Sequence, residues 1–235
     1  PNVVLNTIMA QELEEFADIL EQSNDFQVDL QNLLHDTFKA HQRIIFNGNG
    51  YGEDWVQEAQ RRGLSNLRDT VDCMPAYIDP KNIRLFAGHN ILSETEMRAR
   101  YEIHLENYCK VTAIEASTLR DMVLRGILPA VNRYTADLTQ AILHKRELVV
   151  PCRVEEDLLQ KLSALTGSLY DTMAAINEAM DKAPDAEGGI DAARYYREEI
   201  VRRMEEARQS IDQLESLTAA KYWPYPTYAD ILFSV

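Results

Sequence analysis

Apolar residues recur every three or four positions along most of the chain, which is the spacing of one face of an α-helix. The longest run starts at about residue 93, has no glycine before Gly126 and no proline before Pro129, and ends at Pro151. Two further runs follow at about 154–182 and 190–221. The pattern predicts three long helices, whose apolar stripes include Leu105, Ala116, Val123, Leu162, Leu169, Ile200, Ile211 and Leu214.

The first long helix has a clear start and a predicted bend. Ser93 and Glu96 have the spacing of a capping box, in which each side chain bonds a backbone N–H of the other residue. Pro129 removes a backbone donor, so we expect the helix to kink near it. The three stripes have coiled-coil-like spacing and the connections are short, which predicts an antiparallel bundle or helical arm.

The first half of the chain carries shorter helical patterns. Helices are predicted over 3–22, 26–43, 53–63 and 66–77. Pro75 is expected to break the last of these, and a further turn begins at Pro80. No segment indicates a strand, and the chain has no internal repeat.

The C-terminal segment, "YWPYPTYADILFSV", differs from the rest. Its two prolines prevent the helix from continuing, so we expect an extended tail. We predict that Trp223, Tyr225 and Tyr228 dock on the domain or on a neighbour, and they are our interface candidates. Burying such rings is worth roughly 1.5–3 kcal/mol each.

Charge and cysteine content narrow the class of protein. The 235 residues include 38 acidic and 24 basic side chains, and the formal net charge is −14. Such a balance argues against binding nucleic acid or an anionic membrane surface. Three widely spaced cysteines fit a reducing compartment, and no apolar run or leader pattern indicates a membrane span or secretion. We therefore expect a cytoplasmic protein.

The stretch "IIFNGNGYGEDW" raises the question of phosphate binding, because Gly48, Gly50 and Gly52 precede a helix. The stretch lacks the GK[ST] ending of a phosphate loop and the strand of a dinucleotide-binding unit. Glu53 and Asp54 would also place negative charge beside the phosphate. A glycine-rich turn with an acidic N-cap is the better interpretation.

No other residues form a recognisable catalytic or metal motif. The five histidines, His35, His41, His89, His104 and His144, form no HExxH pair and no cysteine–histidine set. Glu102, Glu106 and Glu115 lie on the first long helix, where His104 has the wrong offset for an ExxH ligand pair. No nucleophile has an evident base. We predict no catalytic, cofactor-binding or metal residue, and the residues alone indicate an interaction or structural domain.

Several longer stretches, taken in order, resemble the C-terminal region of type III glutamine synthetases. They are "FNGNGYGEDWVQEAQRRGLSNLRDT", "LFAGHNILSETEMRARYEIHLENYCKVTAIEASTLRDMV", "ILPAVNRY" and "WPYPTYADILF". The resemblance covers essentially the whole chain and is weakest over 150–200. It implies a parent enzyme that joins ammonia to glutamate with ATP and Mg²⁺ or Mn²⁺. It also implies a large homo-oligomer, whose catalytic residues lie upstream of this region.

The resemblance divides the predicted all-α fold into four segments. Residues 1–46 resemble the end of the catalytic domain, and 47–92 form the glycine-rich loop with short helices. The long-helix bundle occupies 93–221, and the extended tail occupies 222–235. Because the helical pattern is already running by Val4 without an initiating methionine, we expect a piece of a longer protein.

Two hypotheses remain at this point. The first is the C-terminal helical part of a glutamine synthetase, which contacts the rest of its own enzyme and neighbouring subunits. Alone, it would be inactive and would serve in subunit contacts or regulation. The alternative is a free-standing helical adaptor without catalytic activity. A start codon directly before Pro1 in the native gene would favour the adaptor.

Overall fold

A computed structural model describes residues 2–233, with the side chains of residues 228 and 229 outside that description. The described residues form helices joined by loops and contain no strand, so the all-α prediction is confirmed. The chain divides into two compact units, Pro1–Ile103 and His104–Val235. No helix in the described part is long and apolar enough to cross a membrane.

The first unit consists of short and medium helices. They are α1 (Asn2–Glu21), α2 (Phe26–Ala40), a 3-10 turn (Gln42–Ile44), α3 (Glu53–Arg61), α4 (Thr70–Tyr77), α5 (Pro80–Gly88) and the start of α6 (Glu94–Met122). Ile83, Phe86 and Met97 form a small buried cluster. By contrast, most apolar residues of α1 and α2 are exposed, and Thr7 is the one buried residue described in the two helices.

Two boundaries in this unit differ from the sequence prediction. The helix expected over 66–77 begins at Thr70, because the Asp69 carboxylate accepts a hydrogen bond from the Asp72 N–H and caps it. Pro75 lies inside α4 and does not break it. The helix ends two residues later, at Tyr77, so less than one helical turn follows the proline.

The second unit contains the long helices. After α6 come a π-helical turn (Val123–Ile127), α7 (Leu128–Glu147), α8 (Arg153–Asp181), a 3-10 turn (Ala186–Gly188), α9 (Gly189–Tyr195), a second π turn (Tyr196–Val201), α10 (Arg202–Leu217) and α11 (Tyr228–Phe233). The predicted stripes form its core, where Leu105, Leu162, Leu169, Ile200 and Leu214 are fully buried.

The long helices pack side by side. Lys145 near the end of α7 pairs with Glu155 near the start of α8, whereas Arg120 on α6 reaches Asn177 near the end of α8. This order makes α8 antiparallel to α6 and α7. The capping-box prediction is also confirmed, because the Ser93 N–H donates to Glu96 Oε2 at 2.8 Å and the Glu96 N–H to Ser93 Oγ at 3.3 Å.

Two local features of the long helices differ from a plain α-helix. The chain stays helical around Pro129 but widens into the first π turn immediately before it, where Arg125 would otherwise accept a bond from residue 129. Nothing in the apolar pattern indicates the second π turn.

The C-terminal tail differs from the prediction of an extended segment, since α11 forms within it.

Candidate functional site

The C-terminal tail lies against the helices of the second unit. Trp223 is buried, with 9% of its surface exposed. The Tyr222 hydroxyl donates to the Asp137 carboxylate, and its ring lies 5.2 Å from that of Tyr134 on α7. These contacts join residues far apart in sequence and fix the start of the tail to α7.

Tyr225 contacts the first π turn directly. Its hydroxyl donates to the backbone carbonyl of Met122 at 3.3 Å. A β-carbon built on Gly126 would lie 2.5 Å from that hydroxyl oxygen, well inside van der Waals contact. A side chain at position 126 would therefore have to displace the Tyr225 hydroxyl and the edge of its ring.

Tyr228 was the third interface candidate, and its side chain lies outside the described residues. The backbone around it starts α11 with a capping box, since the Thr227 N–H donates to Asp230 Oδ2 at 2.8 Å and the Asp230 N–H to Thr227 Oγ1 at 3.3 Å. Bonds from the Thr227 hydroxyl and N–H hold the pKa of Asp230 below its ordinary value. The T-x-x-D spacing is a sequence signal for this helix, whereas the two prolines alone predict an extended segment.

A cavity of about 240 Å³ lies between the tail, α10 and the end of α6. Its wall is mostly apolar and includes Leu119, Met122, Ile127, Ile211, Trp223, Tyr225, Pro226 and Ile231. Arg208, Asp212 and Glu215 supply its charge, and Arg208 Nε donates to Asp212 Oδ1 at 2.8 Å. The lining offers apolar contact surface with a charged edge, which suits binding or docking.

The glycine-rich stretch forms a turn anchored to α3. The Asn49 side chain accepts from the Tyr51 N–H at 3.0 Å, and the Asn49 carbonyl accepts from the Gly52 N–H at 3.1 Å. Gly52 itself is the N-cap of α3, so the expected acidic N-cap is wrong. Glu53 and Asp54 instead occupy the first helical turn, where they interact favourably with the helix dipole.

Arg62 holds this turn in place. Its guanidinium donates to the carbonyls of Arg43 and Ile45, at 3.1 and 2.8 Å, and lies 5.8 Å from the centre of the Trp55 ring. Trp55 in turn packs on Phe46, with ring centres 4.6 Å apart. The arginine therefore joins the end of α3 to the segment that leads into the glycines.

Glu58 completes this arrangement. It accepts hydrogen bonds from the guanidiniums of Arg61 and Arg62. These bonds and charges lower its pKa from 4.5 to about 2. The Glu58 carboxylate stays ionised and is a structural ion-pair partner.

The histidines and carboxylates considered as ligands are dispersed. His89 Nε2 lies 3.0 Å from Gln11 Oε1, and Glu106 pairs with Lys110 one turn along α6. Among the described residues, no group of three or more His, Cys, Asp or Glu side chains could hold a metal ion. The residues present therefore do not fit the divalent metals that the resemblance implies for the parent enzyme. The three cysteines are free thiols.

Comparison with known proteins identifies the family. Residues 29–146, half of the chain, match the family model described as glutamine synthetase C-terminal domain. The chain belongs to the glutamine synthetase C-terminal domain family. The matched region of this domain runs from α2 through α7 and includes the Arg62 arrangement and the first π turn.

Three relatives of this glutamine synthetase C-terminal domain extend the similarity. A glutamine synthetase of Butyrivibrio fibrisolvens is 36% identical over 208 residues, which is 88% of this chain and 30% of the relative. A type-3 glutamine synthetase of Dictyostelium discoideum is 31% identical over 99% of this chain and 33% of its own length. A Bacteroides fragilis glutamine synthetase is 28% identical over the same shares. The chain thus spans about a third of the length of these relatives.

Proposed function

We propose that the chain is the C-terminal helical domain of a cytoplasmic glutamine synthetase, a ligase that joins ammonia to glutamate with ATP and Mg²⁺ or Mn²⁺. One observation carries the proposal: two glutamine synthetases align with 99% of this chain, which covers only 33% of each of them. Glutamine synthesis belongs to the whole polypeptide, whose catalytic residues lie outside this region.

The domain itself serves in subunit contacts or regulation of a homo-oligomer. The aromatic tail and the cavity beside it support this role, because they form a defined apolar surface with a charged edge. Trp223, Tyr225 and Tyr228 remain our interface candidates. The segments 1–46, 47–92, 93–221 and 222–235 remain the proposed organisation of the chain.

The first test is the size of the native polypeptide that carries this sequence. An antibody raised against the 26.9 kDa chain is used to blot source cells and then to deplete their extract. We expect a band about three times larger, and loss of glutamine-forming activity with it. A band near 26.9 kDa with the activity left in the extract would contradict the proposal and favour a free-standing adaptor.

The second test concerns the chain alone. The purified 235-residue protein should show no ATP-dependent formation of glutamine, although circular dichroism should report a folded helical protein. Ligase activity that follows the chain through successive purification steps would disprove its assignment as a non-catalytic domain.

A further inference from the structure

Three arginines meet at an open cavity in the first unit, at the C-terminal end of α3. The cavity has a volume of about 490 Å³, and none of the described residues that line it is acidic. We call it the arginine cavity, and its lining consists of Arg43, Arg61, Arg62, Gln42, Ile45 and Asn47. In a chain with 38 acidic and 24 basic residues, such a grouping of positive charge favours the approach of an anion.

Arg62 is fixed within the cavity and still has N–H groups to donate. Its Nε donates to Glu58, and its Nη1 donates to the carbonyls of Arg43 and Ile45. Of the N–H groups of this guanidinium, those on Nη2 have no acceptor among the described residues. Because the side chain is already held in place, a ligand that accepts from Nη2 loses little conformational entropy in ordering it.

Arg61 and Arg43 supply further free donors. Arg61 donates to Glu58 through Nε and Nη2, so its Nη1 has no acceptor in the described part of the chain. The Arg43 side chain forms no hydrogen bond or ion pair with any described residue. Glu58 offsets one of the three positive charges of the arginine cavity, which leaves an excess of two.

The acidic residues of α3 lie at its opposite end. Glu53 and Asp54 occupy the first turn, whereas Arg61 ends the helix. At the rise of an α-helix, about 12 Å along the axis separates these ends. The backbone carbonyls of the last turn accept hydrogen bonds from the N–H groups of the residues that follow the helix. The acidic turn that argues against a phosphate at the glycines is therefore remote from the arginine cavity.

We propose that the arginine cavity binds the phosphate group of a small molecule. Guanidiniums bind phosphate through paired, charge-assisted N–H···O bonds. A phosphate group carries about −1.5 to −2 charge and presents several acceptor oxygens, which matches the excess charge and the free donors on separate side chains. A single carboxylate offers one charge and fewer oxygens. The volume of about 490 Å³ exceeds that of a phosphate alone and leaves room for part of an attached molecule.

This inference goes beyond the proposed ligase, for which we place the ATP-binding residues outside this chain. The experiment is an NMR titration of the isotope-labelled 235-residue chain with inorganic phosphate at constant ionic strength. We expect saturable shifts of the backbone N–H signals of residues 42–47 and 61–63. Acetate, which carries a single carboxylate, should bind at least about tenfold more weakly.

Glycerol phosphate distinguishes the two sources of a phosphate group. Binding tighter than that of inorganic phosphate assigns the arginine cavity to a phosphate ester, because the ester adds contacts within it. Equal or weaker binding assigns it to free phosphate.

Two variants test the arginines themselves. Arg43→Gln removes a guanidinium that contacts no described residue, so it should weaken phosphate binding at least about tenfold without changing the fold. Arg61→Gln should weaken it as a second, independent variant. The matched control is Arg84→Gln, which makes the same change in net charge at an exposed position of α5, outside the lining of the arginine cavity. It should leave the phosphate affinity within about twofold of the original.

Circular dichroism and thermal melting verify that each variant is folded. The absence of any saturable shift with phosphate would overturn the inference. So would shifts that Arg43→Gln and Arg61→Gln leave intact, an equal weakening by Arg84→Gln, or acetate binding as tight as that of phosphate. Each of these results leaves the glutamine synthetase assignment untouched.

Discussion

The hydroxyl of Tyr225 occupies the space that the β-carbon of any other residue at position 126 would need. The two residues are almost a hundred positions apart, yet the built β-carbon of Gly126 comes 2.5 Å from the tyrosine oxygen and 3.0 Å from its ring. The tail therefore packs against a π turn that precedes it by almost a hundred residues in the sequence.

Gly126→Ala should therefore destabilise the protein by about 1–2 kcal/mol, because the added methyl group displaces the Tyr225 ring. The same change should be neutral or stabilising in a Tyr225→Ala background, where only helix propensity remains. Gly167→Ala is the control, since nothing lies within 4 Å of a β-carbon there. Urea unfolding of the four proteins in the cycle measures the coupling, and additive effects would show that the two residues do not interact.

Trp223 should be the most sensitive position of the tail. It is 9% exposed, so Trp223→Ala should lower the free energy of unfolding by about 3 kcal/mol, whereas Tyr51→Ala, at a fully exposed ring, should cost nothing measurable.

Removing residues 222–235 should lower the thermal midpoint or the oligomer size, because the buried Trp223 is lost with them. Differential scanning calorimetry and light scattering provide the two measurements, and no change in either would show that the tail is idle.

Glu58 should make the free energy of unfolding depend on pH in the acidic range. Its pKa falls from 4.5 to about 2 on folding, so the folded protein binds this proton more weakly than the unfolded chain does. The stabilisation is complete above pH 4.5 and is lost as the pH falls towards 2. An NMR titration of the Glu58 carboxyl carbon should have its midpoint near 2. A midpoint near 4.5 would mean that the pairs with Arg61 and Arg62 do not persist in solution.

The same residue can be tested by substitution. Glu58→Gln should lower the free energy of unfolding at neutral pH and lose its effect towards pH 2. Glu53→Gln makes the same change in net charge on the same helix, outside the contact with Arg62. If the two variants changed the free energy of unfolding by the same amount at every pH, the effect would come from overall charge and not from the ion pairs of Glu58.

Val149→Gly should stabilise the monomer by about 0.5–1 kcal/mol. Glycine adopts the positive φ of this position without the strain of a β-branched residue, which outweighs its greater freedom in the unfolded chain. Chemical denaturation at a concentration where the chain is monomeric measures the effect. A loss of stability would mean that the valine contributes packing that its 90% exposure does not indicate.

The long helices could be predicted because their apolar residues repeat with the helical period. Leu162, Leu169 and Leu214 belong to the predicted stripes and are fully buried. In α1 the same periodicity predicts the helix correctly but does not predict whether its apolar face is buried. Leu5, Met9 and Leu13 on this helix are about 60% exposed. Periodicity identifies an apolar face and does not say which surface covers it.

The candidate site was less predictable for a different reason. The aromatic composition of the tail singled out Trp223 and Tyr225, but no local pattern relates Tyr225 to Gly126 or Met122, which precede it by about a hundred residues. Such contacts arise from the packing of distant segments. The capping box of Thr227 and Asp230, in contrast, is a local pattern that would have located α11.

The first π turn has a consequence for how this region tolerates insertions and deletions. One residue of an α-helix corresponds to a rotation of about 100°, and a π turn holds one residue more than an α-helical turn. Deleting a single residue from Val123–Ile127 would convert the π turn into an ordinary α-helical turn and leave α7 in its present rotation. Adding one residue to the α-helical part of α7 before Val131 would instead rotate the rest of that helix by this angle, and Val131 and Ile142 would leave the core together. The five-residue turn is therefore the part of this long helix that can lose a residue without moving the buried side chains that follow it.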